Sequence, residues 1–246
     1  MQAMKEAYGP LAEWFEYLND DCDYAAWSQY FIDGLSSLGA GSRGLELGCG
    51  SGAFCRSLMR AGYCMEGADL SPVMLMKAEQ LAREEGLRIP FFRADAAALR
   101  APGKYDFVLS PNDCFNYIPP QKLPSAFKHI ANVLVKGGIF WLDVSSSYKL
   151  RHKVADNICA DDRDDVTYLS FNTLAGEKVE MDVTLFVKRK DGTFDRFDEH
   201  HTQYIHEEED VSAALSGAGF SPIRVEGHLG EEKEESDRLN FICRKK

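Results

Sequence analysis

The stretch that most restricts the fold is GLELGCGSGAF, residues 44–54. An apolar run passes straight into a loop with glycine at 48, 50 and 52, and a helical pattern begins at Ala53. Glycine is selected where backbone must turn sharply or approach a ligand closely, because it carries no Cβ. A strand that ends in such a loop and leads into a helix places a ligand at the carboxyl edge of an α/β sheet. A tight strand-to-helix turn with nothing bound can use one such glycine, but four within a few residues exceed what a turn needs. One carboxylate, Glu46, stands before three of them and requires a chemical reason.

The rest of the chain supplies the sheet. Short apolar runs (YCMEGADL, IPFFRADA, YDFVLS, IFWLDVSS) alternate with helical patterns (AFCRSLMRAG, SPVMLMKAEQLAREEG, PQKLPSAFKHIANVLVKGG). That alternation predicts a parallel sheet covered on both faces. Ser71 is placed to cap one helix, with Pro72 at its first position. Upstream, Leu11, Trp14, Phe15 and Leu18, then Trp27, Tyr30, Phe31 and Leu35, repeat at helical spacing. Downstream the period changes to two in VEMDVTLFVKR and FDRFDEHHTQYIH, joined by an Asp191-Gly192 hairpin signal, with VTYLSFNT as a further strand. The chain returns to helix at EEEDVSAALSGAG and to strand at SPIRVEG and RLNFICRKK.

The expected architecture is therefore α/β: a Rossmann-like, doubly wound, mostly parallel seven-stranded sheet with a hairpin-type last strand. A small antiparallel sheet is inserted over residues 148–206. Residues 1–147 and 207–246 form the main domain, with 1–40 as an amino-terminal helical cap.

Charge narrows the partners. The 246 residues carry a formal net charge of −11, so nucleic acid and anionic membrane surfaces are not expected partners. No apolar run approaches the roughly 18–20 residues of a membrane span, and the amino terminus lacks a signal-peptide pattern. Seven scattered cysteines without a Cys-x-x-Cys pair argue against a disulfide framework or a zinc site. These features predict a cytoplasmic protein with reduced thiols and no metal, monomeric or homodimeric.

The glycine loop fits two cofactors. GCGSGA satisfies the dinucleotide fingerprint, in which a pyrophosphate sits on a helix amino terminus. The spacing Glu46-x-Gly48-x-Gly50-x-Gly52 also resembles the first motif of the class I S-adenosylmethionine-dependent methyltransferases. A carboxylate at the strand end suits a cofactor bearing an ammonium and a sulfonium, and suits a pyrophosphate badly. Asp69 ends the second strand, where an acid can accept hydrogen bonds from ribose hydroxyls under either reading. Asp95 ends the third, where these methyltransferases place an acid or amide near the adenine.

VLVKGGIFWLDV, DYAAWSQYF, SPNDCFNYIPP, DVSSSYKLR and FDRFDEHHTQYIH extend the resemblance over nearly the whole chain. They are similar to a small bacterial subgroup with an antiparallel insertion over the cofactor cleft, mostly presumed to act on small molecules. The resemblance implies S-adenosylmethionine contacts from Glu46, Gly48, Cys49, Gly50, Gly52, Asp69, Leu70, Met74, Asp95, Ala96 and Asn112. Tyr24 and Trp27 would close over the cofactor. The subgroup often has Tyr-Asp in the first helix, where this chain has Phe15-Glu16, so a tyrosine contact there would fall to Tyr8 or Tyr17.

Methyl transfer is an in-line displacement that asks the protein mainly to align the groups, with a base only for a protonated nucleophile. Asp113 is the first candidate base, with Tyr117 and His201 beside it and Tyr148, Glu199 and His200 as further choices. On a strand Glu199, His201 and Gln203 share one face and His200, Thr202 and Tyr204 the other, so only one set can line the cleft. The expected function is methyl transfer to a cationic or neutral small molecule. A nicotinamide-dependent oxidoreductase on a similar sheet and an inactive cofactor-binding module are the alternatives.

Overall fold

The computed structural model describes residues 9–20 and 22–246; Tyr8 lies outside them. Two helices lead, Leu11–Leu18 (α1) and Tyr24–Ser37 (α2), the second capped by the Asp23 side chain on the Ala26 N–H. Then follow Arg43–Leu47 (β1), Ala53–Arg60 (α3), Cys64–Asp69 (β2), Pro72–Glu84 (α4), Phe91–Arg93 (β3), Tyr105–Ser110 (β4), Leu123–Val133 (α5) and Leu134–Ser145 (β5). After Ser147–Lys149 (α6) come four strands, Ile158–Asp162 (β6), Val166–Leu174 (β7), Lys178–Lys188 (β8) and Phe194–Tyr204 (β9). Glu208–Gly217 (α7), Phe220–Glu226 (β10) and Arg238–Lys245 (β11) complete the chain. Ser71 caps α4 by accepting the Met74 N–H, with Pro72 at the first position.

The first sheet has seven strands in the order β10-β11-β5-β4-β1-β2-β3. β1 to β5 pair in parallel, while β11 runs antiparallel between β5 and β10. Period-two alternation divides its side chains between two cores. Phe140, Leu142 and Val144 pack under Phe127 and Ile130 of α5 and Val211 and Leu215 of α7. Ile139 and Trp141 face Phe31 and Leu35 of α2 and Phe54 and Leu58 of α3. Both faces are covered, which is why the parallel strands read as continuous apolar runs.

Two boundaries differ from the pattern in the sequence. β5 begins at Leu134, before the Gly137-Gly138 pair expected to end the helix; Leu134 pairs with Tyr105 and the register shifts before Phe107. Gly137, at φ +76°, absorbs that shift. The second sheet has four strands in the order β6-β7-β8-β9 where three were expected, because ICADD is too polar to read as a strand.

The second sheet is tied to the carboxyl ends of β4 and β5. The fully buried Asn116 donates to Ser145 O (3.2 Å) and Tyr204 O (3.0 Å), and His206 Nε2 meets Phe115 O at 3.0 Å. Glu199, His201 and Gln203 form the buried face of β9 and His200 points outward between Glu180 and Asp182. Among the described residues no helix is long and apolar enough to cross a membrane, and no group of three or more His, Cys, Asp or Glu side chains could hold a metal ion. All seven cysteines are free thiols.

Candidate functional site

At the end of β1 the chain turns through Gly48 (φ +74°) and Gly50 (φ +51°), a region that favours glycine. A Cβ on Gly48 would lie 2.4 Å from Cys114 Sγ, whereas nothing stands within 4 Å of one on Gly50. Gly48 and Cys49 both donate to Ala68 O (2.8 and 3.0 Å), stitching the loop to β2. Asp69 completes the stitch, accepting Gly50 N–H and Ser71 N–H, each at 2.8 Å. Burial pushes the Asp69 carboxyl up, and these backbone N–H groups hold it back.

The loop forms one wall of a cavity of about 380 Å³ at the carboxyl edge of the parallel strands. Eight residues expected from the sequence line it: Gly48, Gly50, Asp69, Leu70, Met74, Asp95, Ala96 and Asn112. Asp95 also accepts the Ala97 N–H at 2.8 Å, so it caps a short turn while facing the cavity. Phe15, Arg93, Cys114, Tyr117 and Ile118 join them. Phe15 reaches the cavity from α1; nothing in the helical period distinguished it from a core residue.

Five residues assigned to the cofactor lie outside the lining. Glu46 is 1% exposed and turns beneath the loop, where it accepts the Cys55 N–H at 2.7 Å near the start of α3. Burial pushes its carboxyl up to about 7, against the pull of Cys55 and Arg56. Cys49 turns its sulfur into the core beside Gly67, and Gly52 opens α3 against Phe91 and Ala78. Trp27 is buried edge-on against Phe54, 4.9 Å beneath the Arg238 guanidinium, and Tyr24 packs on the same phenylalanine. These two aromatics brace the wall and do not close over the cavity. Tyr17 is exposed under Arg163, so it does not replace a tyrosine at position 15.

A second cavity, of about 360 Å³, shares Phe15, Asn112 and Tyr117 with the first. Its far wall is the second sheet, with Ser170, Asn172, Met181, Val183, His201 and Gln203. Between the cavities lies a charged cluster. Arg238 donates to Asp113 Oδ1 (2.9 Å), Asp143 Oδ1 (3.3 Å) and Asn112 Oδ1 (2.9 Å). The buried Asp143 accepts the backbone N–H groups of Asn112 (3.0 Å) and Asp113 (2.6 Å). Those two residues sit at φ +60° and +53°, a strained conformation that persists because the cluster over-determines it.

Of the proton-transfer candidates, Asp113, Tyr117 and His201 line this cavity. Burial would raise the Asp113 carboxyl, but Arg238, Lys149 and Gln203 hold it below the usual carboxylate range. Gln203 donates to its second oxygen, so both oxygens are engaged. His201 Nε2 lies 3.1 Å from Glu199 Oε2, and the other Glu199 oxygen accepts Leu11 N–H at 3.0 Å. Glu199 thus stands behind His201. Tyr148 lies outside the lining, against His152 and Lys153, and His200 faces outward. Arg238, Asp143 and Lys149 carry much of the charge here; Asp143 and Lys149 lie in segments that carry the resemblance, but neither they nor Arg238 were singled out as site residues.

Comparison with known proteins places these features. Residues 45–138 match a family described as a methyltransferase domain. YqeM of Bacillus subtilis (strain 168), which carries a methyltransferase name, is 30% identical over 245 residues, covering 97% of each chain. The crystal structure of an S-adenosylmethionine-dependent methyltransferase from Clostridium acetobutylicum superposes with a TM-score of 0.88 at 27% identity, over 98% of this chain and 99% of that one. The sugar N-methyltransferase KedS8 from Streptoalloteichus shares the fold at a TM-score of 0.82 and 21% identity, over 100% of this chain and 97% of that one.

Proposed function

This chain belongs to the S-adenosylmethionine-dependent methyltransferases, and on that premise we propose that it methylates a small molecule held in the second cavity. S-adenosylmethionine is its cofactor. The residues fit it: Gly50 faces open space where a side chain would intrude, and Asp69 and Asp95 face the cavity from the ends of β2 and β3. Asp69 would hold the ribose, Asp95 and Ala96 the adenine end, and Gly48 and Gly50 the amino-acid end. The bound cofactor supplies a methyl group activated by a sulfonium leaving group.

One observation carries the reading of a small acceptor. The second cavity, of about 360 Å³, shares Phe15, Asn112 and Tyr117 with the cofactor cavity, so an acceptor there would lie within an in-line approach to the first. The volume is that of a small-molecule site. The sugar substrate named for KedS8, on a similar fold, supports the same class.

His201 is the residue we assign to take a proton from the acceptor, because a buried carboxylate orients it, the recurring arrangement behind a histidine base. Asp113 is better suited to holding the wall, since both its oxygens are engaged and Arg238 keeps it ionised. Tyr117 shapes the passage between the cavities.

Incubation with methyl-labelled cofactor and a fractionated cell extract tests the proposal. Label should enter the low-molecular-weight fraction, and His201→Gln should lower kcat with the cofactor affinity unchanged. Label confined to protein or nucleic acid would sink it.

A further inference from the structure

Arg238 in the second cavity is matched by Asp113 and Asp143, and Asp161 in the same lining is matched by Arg163. Lys149 breaks this pattern. It stands at the end of α6, lines the cavity, and has Ser145 Oγ, at 3.5 Å, as its side-chain hydrogen-bond partner. Among the described residues no carboxylate lies within ion-pair distance of its ammonium. Burial, and then the nearby Arg238, lower its pKa against the pull of Asp113, Asp237 and Asp143, none of which comes within ion-pair distance. An ammonium has three donors, and in half-buried Lys149 a single long bond to Ser145 leaves two of them for what enters the cavity.

We propose that the methyl acceptor carries a carboxylate, which pairs with Lys149 while an apolar body packs on Leu11, Phe15 and Leu18. This rests on the reading of the second cavity as the acceptor site and names the class of acceptor. One ammonium with open donors calls for one negative charge, since Arg238 and Lys149 already balance Asp113 and Asp143 and a larger anion would leave the cavity strongly negative. A phosphate dianion would exceed it beside Asp113, Asp143 and Asp161, and a cationic acceptor would meet Lys149 with like charge. The net charge of −11 pointed to a cationic or neutral acceptor, but that charge is spread over the whole chain. At short range inside a cavity the local ammonium decides.

The probes are 3-phenylpropionate, its amide, and phenyl phosphate, titrated calorimetrically into protein saturated with S-adenosylhomocysteine. The acid should bind at least about tenfold more tightly than the amide, since a charge-assisted hydrogen bond replaces a neutral one. Lys149→Met should abolish that preference, Lys149→Arg should retain most of it, and cofactor-product affinity should hold in both. Equal binding of acid and amide, no binding of either, or an acid preference that survives Lys149→Met would overturn the proposal. Tighter binding of phenyl phosphate would overturn the single-charge assignment. Competition between 3-phenylpropionate and S-adenosylhomocysteine would instead overturn the two-cavity reading beneath it.

Discussion

The two cavities lie side by side but are built by different means. In the cofactor cavity the decisive hydrogen bonds run between near neighbours: Ser71 to Asp69 across 2 residues, Ala97 to Asp95 across 2, Gly50 to Asp69 across 19. All three are backbone N–H groups accepted by a carboxylate at a strand end. In the second cavity the corresponding bonds join side chains across 90 residues (Gln203 to Asp113), 125 (Arg238 to Asp113) and 188 (Leu11 to Glu199, here a backbone donor). The first cavity is a property of a strand–loop–helix unit, and one sheet edge suffices to make it. The second exists only once β9, β11 and α1 have docked. A cofactor shared by a whole family can be held by local backbone, while an acceptor that varies is met by side chains drawn from distant segments.

Removal of Arg238 is the strongest challenge to that contrast. Arg238→Met would leave Asp113 and Asp143 buried without their cation, and breaking a buried pair by removing one partner costs about 3–5 kcal/mol. Denaturant unfolding should show a loss of that size. A loss below about 1 kcal/mol would mean that long-range pairing does not hold the second cavity. Gly48→Ala comes next and probes the local cavity. Its Cβ would meet Cys114 Sγ at 2.4 Å in a left-handed conformation, for an expected loss of about 2–4 kcal/mol with cofactor binding strongly weakened. Gly50→Ala, with open space around it, should cost only the conformational part, about 1–2 kcal/mol. Equal effects of the two glycine variants would refute the close-approach account of Gly48.

The same contrast explains what could be read from the chain. The glycine loop, the Ser71 cap, Asp69 and Asp95 were legible because each follows from its own strand end and helix start. The pairing of strands into a doubly wound sheet was legible from alternating periods. Arg238 was not, because as the first residue of β11 it reads as the start of an ordinary strand. Only the insertion of β11 beside β5, with Arg238 opposite Ser145, brings it to Asp143. Trp27 was legible as part of an apolar helix face from its spacing; the resemblance alone set it against the cofactor, whereas Phe54 and Arg238 cover it here. Glu46 carried a signal that a stricter use of strand alternation would have caught. With Leu45 and Leu47 in one core, period two sends Glu46 to the opposite face, towards α3.

Asp69 separates local wiring from ligand contact at a smaller scale. Asp69→Ala should weaken S-adenosylmethionine binding by about tenfold or more, because it removes the ribose acceptor and also frees the Gly50 and Ser71 N–H groups. Asp69→Asn keeps one oxygen and should recover part of the loss. Calorimetric affinities that do not change in either variant would place the ribose elsewhere.

The smallest effect concerns Glu46, which lies beneath the loop and yet has a carboxyl pushed up to about 7 by burial. Because the folded protein holds this proton more tightly than an ordinary carboxyl does, Glu46 favours folding at low pH, and that contribution is lost as pH rises through about 7. A bound cation reverses the preference by favouring the ionised form. Affinity for S-adenosylmethionine should therefore rise between about pH 6 and 8, by roughly two- to fivefold, and more than for S-adenosylhomocysteine, which lacks the sulfonium. Glu46→Gln keeps an oxygen for the Cys55 N–H and should flatten both curves. If the cofactor and its product showed parallel pH curves in wild type, Glu46 would be a helix-start anchor and nothing more. The cofactor cavity would then be local in its electrostatics as well as in its hydrogen bonds, with Asp69 and Asp95 supplying the acid that meets the positive charge.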